Sequence, residues 1–167
     1  MFDFRPDPDR PKAEFYAELR EAALALTNGE PDAVANMANI AALLWQAMPD
    51  LNWAGFYRMV DGMLVLGPFC GRPACIRIPL GQGVCGTAAE SGVSQLVEDV
   101  HAFPGHIACD AASRSELVVP LLQGETLVGV FDIDSPLPGR FDVDDQAGME
   151  RLAEVFMATL HAPERTA

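Results

Sequence analysis

Apolar residues recur along this chain at helical spacing at its two ends, and the spacing is lost in between. Residues 13–27 (AEFYAELREAALALT) are rich in helix formers and set Phe15, Leu19, Ala22, Ala23 and Leu26 on one stripe. Asn28-Gly29 stops that helix, and Pro31 suits the first turn of the next. The second helix runs to about residue 48, with Val34, Met37, Ile40, Ala41, Leu44, Trp45 and Met48 on its inner side. Beyond Pro49 the pattern changes. NWAGFYRMV (52–60) is aromatic and β-prone, Asp61-Gly62 is a hairpin signal, and residues 63–69 return as its partner. Residues 74–80 read as a third strand, 84–90 as a short helix of small residues and 94–97 as a brief strand. Residues 117–122 and 126–134 make a second hairpin across Gly124. Asp142 then caps a final helix, with Asp144 and Asp145 in its acidic first turn and Leu152, Val155, Phe156 and Leu160 in its stripe.

Hairpins rather than β-α-β crossovers dominate the middle, so the expected class is α+β, with a central, mostly antiparallel sheet of about six strands. LVVPLL and LVGVF are apolar on both faces, which asks for helices or loops on both sides. The chain's 167 residues suit one domain, at 11–167, behind a flexible arm at 1–10.

Charge narrows the partners. With 24 acids against 11 basic residues the net charge is −13, and no basic patch is present to hold a phosphate backbone, so nucleic-acid binding is not expected. Nor does any segment approach the ~18 apolar residues of a membrane span. The acidic, proline-broken start MFDFRPDPDR is unlike a signal peptide, which leaves a cytoplasmic address. There, four cysteines act as thiols, redox groups or ligands rather than as staples.

The stretch EDVHAFPGHIACDAASRSE (98–116) gathers four acids, two of the three histidines and Cys109, with too little apolar bulk for a core element. Loops of this length inside compact domains are often functional. Cysteines at 70, 75, 85 and 109 form no C-x-x-C pair. A metal could be imagined on His101, His106 and Cys109, but the usual paired spacings are missing, and no metal or cofactor is expected. Cys85, in the apolar run Gly83-Val84-Cys85-Gly86, suits a small buried hydrophobe. Cys109 suits that role less: His106 and Arg114 favour a thiolate, whereas Asp110 opposes it.

Two further constellations stand out. Asp132 and Asp134 share one face of an apolar strand end, where like charges are unfavourable unless a cation or a shared proton intervenes. Whether Glu116 joins them depends on register. A two-residue turn at Gly124-Glu125 sets Glu116 opposite Ile133 and on the other face, and a three-residue turn sets it opposite Asp132. Trp53, Gly55 and Tyr57 alternate along one strand; the aromatic pair is either core or the wall of a pocket for a soft apolar group.

The segments NWAGFY, LGPF, ACIRIPLGQGVCGTAA, VEDVHAFPGHIACDAASRSELVVPL and GVFDIDSP followed by RFD cover residues 52–142. Together, in order and spacing, they resemble the free methionine-(R)-sulfoxide reductases, single-domain enzymes with the GAF fold. VCGTAA with GHIACDAASRSE is the specific part, and the N-terminal helices carry no diagnostic motif. The resemblance implies that Cys109 is the catalytic thiol and Cys75 the partner that closes a disulfide with it. It leaves Cys85 between nucleophile and resolving roles. It implies that Glu116, Asp132 and Asp134 bind substrate and assist oxygen departure, and that Trp53 and Tyr57 wall the S-methyl group. Cys70 stands where the family pattern has glutamine, which reopens the tally of resolving thiols.

The implied reaction converts free L-methionine-(R)-sulfoxide to methionine through a cysteine sulfenic acid and an intramolecular disulfide, with thioredoxin as reductant. It admits a homodimer. Crowded acids in a closed site have raised pKa values, and so supply the proton the departing oxygen needs. The alternatives are a non-catalytic GAF sensor, which binds its ligand and leaves it unchanged, and a Cys109-His106 hydrolase, which consumes no reductant.

Overall fold

The computed structural model describes residues 10–105 and 111–160, so only Arg10 of the expected arm, and neither His106 nor Cys109, lies among the described residues. Two helices open the chain, α1 (Lys12–Thr27) and α2 (Ala33–Ala47), followed by the hairpin β1 (Trp53–Val60) and β2 (Met63–Gly71). Next come β3 (Arg77–Pro79), α3 (Gly83–Ser91), β4 (Gln95–Val97) and a 3-10 turn at Val100–Ala102. A second hairpin, β5 (Ser115–Gln123) and β6 (Thr126–Ser135), leads to α4 (Val143–Thr159). The strands form one sheet in the order β3-β2-β1-β6-β5-β4, every neighbouring pair antiparallel. That is the α+β architecture expected. β1 and β6 are therefore central, and β1 is apolar on each face, with Ala54 and Phe56 on one and Trp53 and Tyr57 on the other.

Helices α1, α2 and α4 cover one face. Ala54 and Phe56 of β1, Leu117, Val119 and Leu121 of β5, and Phe131 and Ile133 of β6 meet Leu19, Ile40, Leu44, Met149, Leu152 and Phe156 there. The rings of Phe56 and Phe131 stack at 4.3 Å, with Phe156 at 5.3 Å from Phe56. Ion pairing joins the first helix to the last. The capping box of α4 uses Asp142 and Asp145, and Lys12 donates to both carboxylates, at 2.7 and 2.5 Å. Tyr16 donates to Asp145 at 3.0 Å from the inner side of α1.

Three expectations need correction. Val34 and Trp45 are exposed (51% and 42%) because the stripe of α2 is centred on Met37, Ile40, Ala41 and Leu44, and both residues fall on its flank. The third strand is only three residues, Arg77–Pro79, paired with Val65 to Met63. On α1, Tyr16 is buried, while Phe15 and Leu26 only pack against the edge of the core. Among the described residues, no helix is long and apolar enough to cross a membrane.

Candidate active site

The other face of the same strands holds the chemistry. Strand alternation puts Trp53, Gly55 and Tyr57 of β1 on this side, opposite Asp134, Asp132 and Val130 of β6. Glu116 reaches the same side by a route neither simple turn gives. The Gly124-Glu125 turn has two residues and is closed by Gln123 opposite Thr126. A bulge then intervenes: Leu122 pairs with Leu127, but Leu121 pairs with Gly129, so Val128 is an extra residue. The ladder slips by one, and Glu116 ends directly opposite Asp134 rather than opposite Ile133 or Asp132. One row across the sheet thus reads Trp53, Asp134, Glu116, with Asp132 in the next.

Local sequence shapes the aromatic wall. A Cβ at Gly55 would collide with Phe69 on β2, so only glycine lets that strand come close. Phe69 then stacks on Trp53 at 5.3 Å, and Trp53 stacks on Tyr57 at 5.8 Å. Phe69 is not legible in the sequence as a wall residue: a simple Asp61-Gly62 turn sets Pro68 opposite Gly55, and the bulge between Gly55 and Tyr57 brings Phe69 there instead. Tyr57 and Trp53 are buried (2% and 3%), and the Tyr57 hydroxyl donates to the carbonyl of Cys75 at 3.0 Å. That bond brings the Cys75 segment against this face. Cys75 is disulfide-bonded, whereas Cys70 and Cys85 are free thiols.

Helix α3 lies over the carboxylates. Gly83 at φ +64° starts it, and a Cβ at Gly86 would collide with the Pro79 carbonyl, so the helix packs tightly against the end of β3. Cys85 is thereby pressed onto the sheet: its Sγ lies 3.3 Å from Asp132 Oδ2 and 3.8 Å from Glu116 Oε1. The expected buried cysteine is buried within the apolar cluster of this face, with its sulfur toward the acids. Cys70 pairs with Ala54, on the helix-covered face, and so points away from this group.

Burial dominates the electrostatics. Glu116 and Asp132 are each less than a tenth exposed. Desolvation first, and then the charges of Asp132 and Asp134, push the Glu116 carboxyl well above the usual carboxylate range. Desolvation pushes Asp132 up to about 7, partly offset by the hydrogen bond from Cys85. The Cys85 thiol is held well above its ordinary value by burial and by these same acids, so it stays protonated. Burial likewise raises Tyr57, with Asp132 and Cys85 adding to it. The ligand atoms of Cys85, Glu116 and Asp132 lie within 4.8 Å of one another, near enough among the described residues to share a cation.

Among the described residues, two buried polar atoms here have no hydrogen-bond partner: Trp53 Nε1, a donor, and Asp132 Oδ1, an acceptor. Leaving such atoms unpaired costs about 1–3 kcal/mol each. The base of the loop that carries Cys109 is fixed on both sides. Val100 N–H donates to the Arg114 carbonyl at 2.8 Å, and Asn52 Nδ2 donates to Ser113 Oγ at 2.9 Å. Arg114 pairs with Asp99 at 3.3 Å, so its charge is directed to the loop's first turn. The calls on Cys109 and His106 themselves lie outside the described residues.

Comparison with known proteins places the chain in a family. A GAF domain model matches residues 34–161. The chain is 53% identical over 141 residues to the free methionine-R-sulfoxide reductase of Escherichia coli, covering 84% of this chain and 86% of that protein. It is 42% identical over 154 residues to the free methionine-R-sulfoxide reductase of Saccharomyces cerevisiae, covering 87% and 85%. The free methionine-R-sulfoxide reductase of Neisseria meningitidis, solved with its substrate, superposes with a TM-score of 0.89 at 40% identity, covering 95% of this chain and 96% of that one. The fold is the GAF fold, and the chain belongs to the GAF-domain family of free methionine-R-sulfoxide reductases.

Proposed function

We propose that this chain reduces free L-methionine-(R)-sulfoxide to methionine at the face formed by β1, β5, β6 and α3. The observation that carries the reading is the pair of unsatisfied buried atoms beside three carboxylates. Trp53 Nε1 needs an acceptor, which a sulfoxide oxygen supplies, and Asp132 Oδ1 needs a donor, which the ammonium of a free amino acid supplies. The stacked rings of Trp53 and Tyr57 receive the S-methyl group, for which sulfur–aromatic contact is favourable.

The Cys109 thiolate attacks the sulfoxide sulfur. The oxygen takes a proton from the neutral carboxyl of this cluster and passes to the cysteine sulfur. The sulfoxide gains two electrons and becomes methionine, while Cys109 loses two and becomes a sulfenic acid. The Cys75 thiol then displaces that hydroxyl as water, and a disulfide forms. An external dithiol, thioredoxin in this reading, reduces it. Cys75 rather than Cys85 suits the resolving role, because it is disulfide-bonded while Cys85 is a free, protonated thiol directed at carboxylates. A cytoplasmic address and a homodimer belong to the same proposal.

The test offers R and S sulfoxide, free and N-acetylated, with thioredoxin and its recycling system, to wild-type protein and Cys109→Ser. Reduction of free R alone, with no methionine from Cys109→Ser in a single turnover, is the expected result. Methionine from the variant at normal amplitude sinks the nucleophile assignment. Binding without turnover makes the chain a sensor, and reduction of N-acetylated substrate removes the role given to the ammonium.

A further inference from the structure

We propose that Cys85 is a positioning residue: its thiol donates to Asp132, holds that carboxyl as the anion, and so leaves Glu116 as the acid that protonates the departing oxygen. This deepens the reductase reading and rests on it. The geometry comes first. A thiol has one proton, and of its two neighbours Asp132 Oδ2 at 3.3 Å is nearer than Glu116 Oε1 at 3.8 Å. A hydrogen bond to a carboxylate is stronger than one to its neutral acid, so a donor fixed there selects the ionised form of Asp132. Among the described residues, the titratable groups facing Asp132 are Cys85 from α3, Glu116 from β5, Asp134 two residues along β6 and Tyr57 from β1. Tyr57 directs its hydroxyl to the Cys75 carbonyl, so Cys85 is the donor identified on Asp132.

The two acids then divide the labour. Asp132, ionised, keeps Oδ1 open for the substrate ammonium. Its negative charge in turn raises the proton affinity of Glu116, which retains the proton until the oxygen takes it. The sulfur of Cys85 is neither oxidised nor reduced, and the electrons come from Cys109 and Cys75 alone. Fully buried beneath α3, Cys85 acts through Asp132 and not by touching sulfur chemistry.

Two measurements on reduced wild type, Cys85→Ala and Cys85→Ser test this. The first is a ¹³C titration of the Asp132 carboxyl without substrate, assigned with Asp132→Asn. The second is the pH profile of single-turnover methionine formation. Removing the donor raises the proton affinity of Asp132. The Cys85→Ala midpoint should therefore move up by about one pH unit, a tenfold change in affinity, and the acidic limb should move with it. Serine, which keeps a donor, should return both toward wild type, with a full single-turnover yield in every variant. An unmoved midpoint in Cys85→Ala overturns the proposal, as does a Cys85→Ser protein that behaves like alanine, since the shift would then not come from a donated hydrogen bond. No methionine from wild type at any pH overturns the reductase reading alone, because the titration midpoint still reports the hydrogen bond.

Discussion

The two faces of one sheet are built from alternate residues of the same three strands, yet they obey different rules. On the helix-covered face Ala54, Phe56, Leu117, Val119, Phe131 and Ile133 pack against α1, α2 and α4, the stacked phenyl rings at 4.3 Å. On the opposite face the intervening positions are Trp53, Gly55, Tyr57, Glu116, Asp132 and Asp134. There, burial raises the Glu116 and Asp132 carboxyls above the usual range, and among the described residues a donor and an acceptor stand unpaired. A well-packed core can carry a site that is energetically unfavourable by itself. The helix face stabilises what the site face costs.

That contrast can be broken from either side. The largest stability effect is expected from Phe131→Ala, which empties the centre of the helix-covered face and should cost about 3–5 kcal/mol in denaturant unfolding. A loss under about 1 kcal/mol would mean that this face does not hold the fold. Asp132→Asn should act in the opposite direction at neutral pH. Its folded pKa is raised from 3.8 to about 7, so between those values the native state holds a proton that the unfolded chain releases, and above them both carry the anion. Stability from this group is therefore full below the ordinary carboxyl range and is lost as pH rises toward 7, with no further loss above. The variant should match wild type near pH 4 and exceed it by on the order of 2–4 kcal/mol at pH 8, while losing turnover. A stability difference that is flat with pH, or reversed, would remove the buried-acid account. The smallest effect belongs to Cys70→Ser. Cys70 pairs with Ala54 on the helix-covered side, so turnover should change less than about twofold and stability by about 0.5 kcal/mol or less. Disulfide mapping after one turnover that finds Cys70 oxidised would count against the separation of faces.

Much of this was legible in the chain, for identifiable reasons. Helical stripes such as Met37, Ile40, Ala41 and Leu44, the Asp61-Gly62 and Gly124 turns and the Asp142 cap are signals within a few residues, and they placed four helices and six strands. Motif order from NWAGFY to GVFDIDSP pointed to the family that the relatives then showed. Less local matters were missed. Trp45 and Val34 look apolar enough for the core, yet the stripe they flank is set by what α2 faces, and both are exposed.

By itself, then, the sequence determined the elements, the apolar faces and which residue types could do thiol chemistry, because each follows from neighbours along the chain. Only the tertiary structure decided that Glu116 lies with Asp134 and Asp132. One unpaired residue, Val128, shifts the ladder by one, and in a strand a shift of one exchanges the faces. Only the structure, too, turned Cys85 from a small hydrophobe into a donor for Asp132, because the close approach of α3 at Gly86 to the Pro79 carbonyl is a contact between segments that pattern alone does not join.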